Sequence, residues 1–349
     1  MYEVVKDIGE KRVTELLHQL RKSKVAVIGD VALDIYWKAD MRKSQLSRET
    51  PHFPLPIVEE WMSPGAAGNV AANIAALKPE KLFLLSVIGK DWRGDLFIKE
   101  AEKRGIITDF LIRSDERVTN AYCKPLRRGF LDVEYEDPRI DFENFRLITQ
   151  NEENELIKLL EKVAKEIDVL CVVDQMRFGC ITPRVREKIE NFSREGLTVI
   201  VDSRERIGYF ADVILKPNDI EMFKAMDIEK DPQKLSIEEL LEFAEKFSIQ
   251  KRSDVCVTLG ARGAIYVEKD TSKKYYVPTV NLTPPLDVCG AGDTFLSIFS
   301  LVIGTGAKKV EAVFMGNLAA SVVVKKIGTT GVATVEEIMY NYKKHWATS

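Results

Sequence analysis

The stretch DVCGAGDTFLSIFS, residues 287–300, sets Gly290, Ala291 and Gly292, three residues with little or no side chain, directly before Asp293 and an apolar run. Small residues let a backbone come close to a bound group. The spacing of Phe295, Ile298, Phe299 and Val302 predicts a helix that starts at about Ala291 or Gly292. The glycines then lie at a helix N-terminus, where the unpaired N–H groups of residues 290–293 and the positive end of the helix dipole suit a phosphate or its transition state. A carboxylate beside that anion can take a proton from an incoming hydroxyl while the amides stabilise charge on a transferred phosphoryl group. Asp is also a common helix cap, and these four residues alone do not choose between cap and base.

Other chemistries find less support. No GxxxxGK[ST] occurs, and VIGD at 27–30 lacks the GxGxxG pattern of a dinucleotide-binding turn. His18, His52 and His345 are the only histidines, and none stands at ligand spacing from a cysteine, so no zinc centre is expected. Cys123, Cys171, Cys180, Cys256 and Cys289 are an odd set without CxxC spacing, read as reduced, mostly buried thiols of a cytoplasmic protein. A formal net charge of −3 argues against a nucleic-acid binder. No run of about 18 apolar residues appears, and MYEVVKDIGEKRVTELLHQL is too charged for a signal-peptide core, so neither membrane insertion nor secretion is expected.

The elements that must position these groups are legible as an alternation. KVAVIGD, KLFLLSVIG, VLCVVD, LTVIVD, ADVILKPN and DVCVTLG are short apolar runs, each followed by a stretch with helical periodicity. That pattern predicts an α/β fold with a parallel sheet covered on both faces. Residues 36–60, with Pro51, Pro54 and Pro56, and residues 119–142 break the alternation and read as β-rich inserts. They are expected to form a small lid over the ends of the parallel strands, where ligands sit in sheets of this type; surface hairpins without function are the plainer alternative.

Six segments in order, GDVALD at 29–34, PGAAGNVAANIAAL at 64–77, VIGKDWRGD at 87–95, KPNDIE at 216–221, VTLGARGA at 257–264 and DVCGAGDTF at 287–295, resemble the ribokinase-like, or PfkB, carbohydrate kinases. The resemblance covers nearly all of the chain and implies one kinase domain over 1–349, a three-layer α/β/α sandwich with a mostly parallel central sheet and a β-rich lid. Within the family the likeness is greatest to the kinases that phosphorylate the anomeric hydroxyl of D-glycero-D-manno-heptose 7-phosphate on the route to ADP-heptose. LDIYW at 33–37, SRETP at 47–51 followed by PLPIVE, DPRIDFEN at 137–144 and KIGTTGVATVEE at 326–337 carry it. Such kinases often occur fused to a nucleotidyltransferase domain; this chain ends soon after the kinase, so adenylyl transfer is expected to need another protein.

By position the resemblance implies Asp293 as the base, with Gly290, Ala291 and Gly292 as the anion hole. It implies Asp34, Gly65 and Asn69 at the sugar hydroxyls, and Asn218 and Glu221 organising Mg²⁺ through water near the ATP phosphates. Thr258, Gly260 and Gly263 are expected along ATP, and Asn317 near the adenine. Whether a monovalent cation is also required stays open.

The chain departs from the family pattern in places. Gly65-Ala66 with a displaced Gly68 stands where a Gly-Gly pair is usual, Cys289 replaces a Thr and is expected to be a packing substitution, and Ile298 stands where a small residue is expected. VDQMRFG at 173–179 stands where the heptose kinases carry Ser-Asp-Tyr, a Lys and a Gly. Asp174 is retained and is expected at the substrate, and Arg177 is the first candidate to receive a substrate phosphate, ahead of Arg204, Arg127 and Arg128. The alternatives are another acceptor, a hexose phosphate, ribose or a nucleoside, or a non-catalytic sensor of sugar or nucleotide on the same fold. Exposed lid edges suggest a homodimer formed through the lid.

Overall fold

The six apolar runs of the sequence become Lys24–Gly29, Lys81–Gly89, Val169–Asp174, Thr198–Ser203, Ile214–Leu215 and Asp254–Thr258, all paired in parallel in this computed structural model. The structure describes residues 1–131, 133–328 and 331–346. Asp132 of the second β-rich insert, Thr329 and Thr330 of KIGTTG, and residues 347–349 lie outside the described residues.

Among the described residues, ten strands form the main sheet in the order Leu111–Ser114, Lys81–Gly89, Lys24–Gly29, Val169–Asp174, Thr198–Ser203, Ile214–Leu215, Asp254–Thr258, Ala264–Val267, Lys274–Val277, Glu3–Val4. Ala264–Val267 is antiparallel to both its neighbours. The chain leaves Lys24–Gly29 toward Lys81–Gly89 on one side and later returns as Val169–Asp174 on the other. The crevice at such a reversal, beyond the carboxyl ends of the strands, is where open α/β sheets hold ligands.

Alternation along one strand shows why both faces are covered: Val169, Cys171 and Val173 enter one core cluster, Leu170 and Val172 the other. Helices Glu10–Gln19, Ala67–Ala76, Ala291–Gly304, Lys309–Val323 and Val335–His345 pack on the first face, and Gln150–Val163, Pro183–Arg194 and Ile237–Lys251 on the second. The result is the three-layer α/β/α sandwich that the resemblance implies. Helix Ala291–Gly304 buries residues 294–303 continuously, so it runs through the first layer rather than along its surface.

The inserts form a second sheet in the order Ile57–Ala66, Val31–Asp40, Asn120–Arg128, Glu134–Glu136, with Ile140–Phe142 also on Asn120–Arg128. Its first hairpin is longer than residues 36–60, because Val31 already pairs with Ala66 directly after the core strand ends. No helix among the described residues is long and apolar enough to cross a membrane.

Candidate functional site

Helix Ala291–Gly304 begins where the apolar spacing places it, with Gly290 as its N-cap in the left-handed region, φ 77°. Asp293 occupies the first turn. Its Oδ2 accepts from Asn69 Nδ2 at 2.6 Å and its Oδ1 from Gln175 Nε2 at 3.5 Å. Burial raises the Asp293 carboxyl to about 6; the Asn69 bond opposes that, Asp202 adds to it, and Lys216 and Gln175 oppose it more weakly. The carboxylate is therefore held by side-chain amides and does not cap its own helix.

Local backbone geometry alters the expected anion hole. Ala291 N–H donates to Val288 O at 3.2 Å, closing a turn. Ala291 thus supplies smallness, and the donors left at this N-terminus are the neighbouring amides of Gly290, Gly292 and Asp293.

Asn69 is carried by helix Ala67–Ala76, which starts at the return of the second sheet. Asn73 donates to Asn69 Oδ1 and accepts from Thr294 Oγ1 at 2.8 Å, tying the two helices together beside the base. On the second sheet, Asp34 pairs with Ser63 on one neighbouring strand and Tyr122 on the other, and Tyr122 with Asp141, so these residues share a face. Burial raises the Asp34 carboxyl, opposed by Lys124, whose Nζ lies 3.2 Å away. A Cβ at Gly65 would sit 2.9 Å from Asp34 Oδ2, so glycine there is what lets the carboxylate stand against the backbone. Lys124 also reaches Tyr36 Oη at 3.0 Å, and Arg139 lies 4.5 Å from the Tyr122 ring centre.

A cleft of about 480 Å³ adjoins the helix start. Asn218, Thr258, Gly260, Gly263, Ala291, Gly292 and Asn317 all line it, although they come from five separate elements and loops. Asn317 sits on helix Lys309–Val323 and donates Nδ2 to Val277 O at 2.8 Å. The NxxE spacing has a structural job: Asn218 Oδ1 accepts from Glu221 N–H at 2.7 Å and Glu221 Oε2 from Asn218 N–H at 2.8 Å, a capping box on helix Asp219–Ala225. Glu221 Oε1 carries no hydrogen bond among the described residues.

Sequence reasoning missed the charges behind that box. Lys216, only 3% exposed, places Nζ 3.0 Å from Asp202 Oδ2. Burial pulls the Lys216 ammonium down, but Asp202 and then Glu221 more than offset this and leave it raised. Glu221 is raised by burial and by Asp202, against Lys216. Lys216 stood inside KPNDIE, but nothing in the spacing named Asp202 as its partner. Among the described residues no three His, Cys, Asp or Glu side chains converge as a metal site.

One of the two expected substrate contacts on this segment, Asp174, is paired within the protein. Asp174 is 2% exposed and occupied: Arg206 forms a two-pronged ion pair with it, and Ser203 Oγ donates at 2.7 Å. Its carboxylate faces a guanidinium, not the crevice. Arg177 is exposed, with its guanidinium 5.4 Å from the Phe178 ring centre, and its carbonyl is held by Arg206 at 2.9 Å. Cys289 is exposed and is not the packing residue expected, whereas the other four cysteines are buried, free thiols.

A family model described as pfkB family carbohydrate kinase matches residues 22–335. Among curated proteins, bifunctional protein HldE of Hydrogenovibrio crunogenus is 29% identical over 322 residues, covering 92% of this chain and 63% of that protein. Bifunctional protein HldE of Citrifermentans bemidjiense is 30% identical over 338 residues, covering 94% and 65%. The chain thus spans slightly under two thirds of the length of these relatives. Among solved structures, Arabidopsis thaliana ribokinase complexed with ribose and ATP aligns with a TM-score of 0.66 at 16% identity, over 92% of this chain and 99% of its own. Escherichia coli phosphofructokinase-2 in complex with substrates and products aligns at 0.69 and 17%, over 92% and 99%.

Proposed function

The chain belongs to the pfkB family of carbohydrate kinases, phosphotransferases acting on an alcohol group, and from that premise we propose that it moves the γ-phosphoryl group of ATP to the anomeric hydroxyl of D-glycero-D-manno-heptose 7-phosphate, giving the 1,7-bisphosphate. One arrangement supports this reading above the rest: Asp293 stands in the first turn of a helix whose Ala291 and Gly292 line the 480 Å³ cleft, and Cys289, just before that helix, lies within electrostatic reach of Asp293 and of the Asp34–Lys124 pair of the second sheet. An acceptor beside that pair and a nucleotide in the cleft meet at the carboxylate. The curated relatives named HldE and the heptose-kinase likeness of LDIYW and DPRIDFEN favour the heptose acceptor.

In the proposed step Asp293 takes the proton of the attacking hydroxyl, the hydroxyl oxygen bonds to the γ-phosphorus, and ADP leaves in line. The free amides at the helix start stabilise the charge on the transferred group. Thr258, Gly260 and Gly263 line the path of ATP, and Asn317 stands at the adenine end. Lys216 contacts Asp202 at 3.0 Å, while it and, more weakly, Arg204 act on Glu221 only electrostatically, so the Glu221 carboxylate fits Mg²⁺ held through water. That ion, when bound, neutralises phosphate charge. Lys124 and Arg139 are the cations nearest Asp34 for the acceptor's own phosphate, with Arg177 farther out on its loop. The second sheet, as a lid, excludes water that would otherwise hydrolyse ATP.

The test is Mg²⁺-dependent ADP release with a panel of heptose 7-phosphate, hexose phosphates, ribose and nucleosides. Stimulation by heptose 7-phosphate is expected; stimulation by another member alone reassigns the acceptor, and none by any heptose phosphate overturns this choice. Because Asp293 must be ionised to accept a proton, kcat/KM with the acceptor is expected to be flat above its value of about 6 and to fall tenfold per pH unit below it. A profile flat down to pH 4.5 refutes Asp293 as the base.

The lid also carries the proposal of a homodimer. Phe53, Leu55, Ile57 and Val58 on its first hairpin, and Phe130, Leu131, Tyr135 and Ile140 on its second, are exposed apolar side chains. Clustered apolar exposure beside unpaired strand edges favours a self-complementary twofold contact. Light scattering is expected to give twice the chain mass, and Leu131→Asp with Ile57→Asp to return it to one; a monomer across micromolar concentrations of the unaltered chain refutes it.

A further inference from the structure

The loop 175–180 that follows strand Val169–Asp174 is gripped from several sides. Asp30, 3% exposed, accepts from the backbone N–H groups of Cys180 at 2.7 Å, Met176 at 2.9 Å and Gln175 at 3.2 Å. A Cβ at Gly179 would lie 2.2 Å from Asp30 Oδ1, so the loop closes on the carboxylate with no room for a larger residue. Arg206, anchored on Asp174, donates to the carbonyls of Met176 at 2.7 Å and Arg177 at 2.9 Å. Arg117 donates to the carbonyl of Phe178 at 2.6 Å. Two buried carboxylates and two arginines are thus committed to six residues. Burying such groups is expensive, so the position they hold has a use.

The side chain this loop delivers to the reaction centre is Gln175, with Nε2 3.5 Å from Asp293 Oδ1. The two oxygens of Asp293 are unequally held. Asn69 keeps Oδ2 in a 2.6 Å bond, whereas the Gln175 contact is at the outer edge of a hydrogen bond and leaves Oδ1 open. A hydroxyl that accepts from Nε2 and donates to Oδ1, each at about 2.8 Å, closes a triangle whose third side is the observed 3.5 Å.

We propose that Gln175 orients the acceptor hydroxyl, so that its proton is delivered to Oδ1 of Asp293 while Asn69 holds Oδ2. The assignment rests on the kinase reading for its substrate, but the Gln175–Asp293 contact belongs to the protein itself.

The test compares Gln175→Met, which keeps length without a donor, and Gln175→Glu, which keeps shape but faces the base with a second carboxylate. With the acceptor that stimulates ADP release, Gln175→Met is expected to raise the acceptor KM and lower kcat/KM by about tenfold, with the KM for ATP unchanged. A second arm needs no substrate: infrared titration of the carboxyl band that disappears in Asp293→Asn. Gln175→Glu is expected to move that titration upward by a pH unit or more, with Asp202, Lys216, Cys171 and Cys289, the other ionisable groups around Asp293, unaltered. Wild-type turnover with unchanged kinetics in Gln175→Met overturns the proposal while the kinase reading stands. An unmoved infrared titration overturns it independently. If no acceptor stimulates ADP release, the kinase reading fails and the hydroxyl-orienting role of Gln175 falls with it, even where the titration moves.

Discussion

Asp293→Asn is expected to lose kcat by about 10²–10⁴-fold while binding ATP as the unaltered chain does. Asn keeps the shape of the side chain and can still accept from Asn69 at 2.6 Å, but its amide oxygen cannot take a proton at neutral pH. The same substitution is expected to stabilise the fold. The Asp293 carboxyl is raised to about 6 by burial, so the unfolded chain gives up this proton near pH 4 while the folded one holds it to about 6. Above pH 6 the buried charge destabilises the folded state, on the order of 1–3 kcal/mol, and Asn removes that cost. Single-turnover ADP release, ATP binding by fluorescence and urea unfolding at pH 7.5 check the three parts. Turnover within threefold of the original would show that the proton goes elsewhere, and a variant that loses both activity and stability would mean that Asp293 is a structural group.

The second large effect is expected at Lys216. Lys216→Met preserves an apolar stem of similar length but leaves Asp202 and Glu221 facing each other without the ammonium that contacts Asp202 at 3.0 Å. Removing one partner of a buried pair costs about 3–5 kcal/mol, read as a shift in the urea midpoint at pH 7.5. The sign with pH is specific. In the unaltered chain the Lys216 ammonium is raised, so its contribution is complete below about 10.5 and is lost only as pH climbs through the higher folded value. In the variant Glu221, raised by burial and by Asp202, loses the opposing Lys216 charge, and the penalty shrinks as pH falls toward 5 and Glu221 takes up its proton. A deficit below 1 kcal/mol, or one equal at pH 5 and 7.5, would show that the pair is not coupled as the geometry implies. Lys216 also opposes the rise at Asp293, so the acid limb of kcat/KM moves upward in the same variant.

Much of the architecture was legible from local pattern. The six apolar runs are core strands because a parallel sheet covered on both faces leaves no alternating solvent-facing positions, so apolar residues run nearly continuously along each strand. The start of helix Ala291–Gly304 was readable from GAGD and the spacing of Phe295, Ile298, Phe299 and Val302. The NxxE spacing was visible too, since a capping box is made by residues three apart. The seven cleft-lining residues were named by resemblance, and it is their gathering in one place that the tertiary structure adds.

What local pattern could not supply is the choice of partners for buried polar groups. Asn69 meets Asp293 across 224 residues of chain, Gln175 meets it across 118, and Asp30 grips an amide 150 residues away. Asp174 was expected at the substrate, and its partner Arg206, 32 residues away, had no signature in the local pattern. Arg177 was named for its residue type and for standing where the heptose kinases carry a Lys, and it lies exposed beside Phe178 on its loop. Hydrophobic period and terminal amide geometry act over a few residues, so the strands, the helix that presents Asp293 and the small residues before it were readable in the chain. Which groups surround that carboxylate depends on the fold, because a charge withdrawn from water must be matched by whatever donor or counter-charge folding brings within about 3 Å.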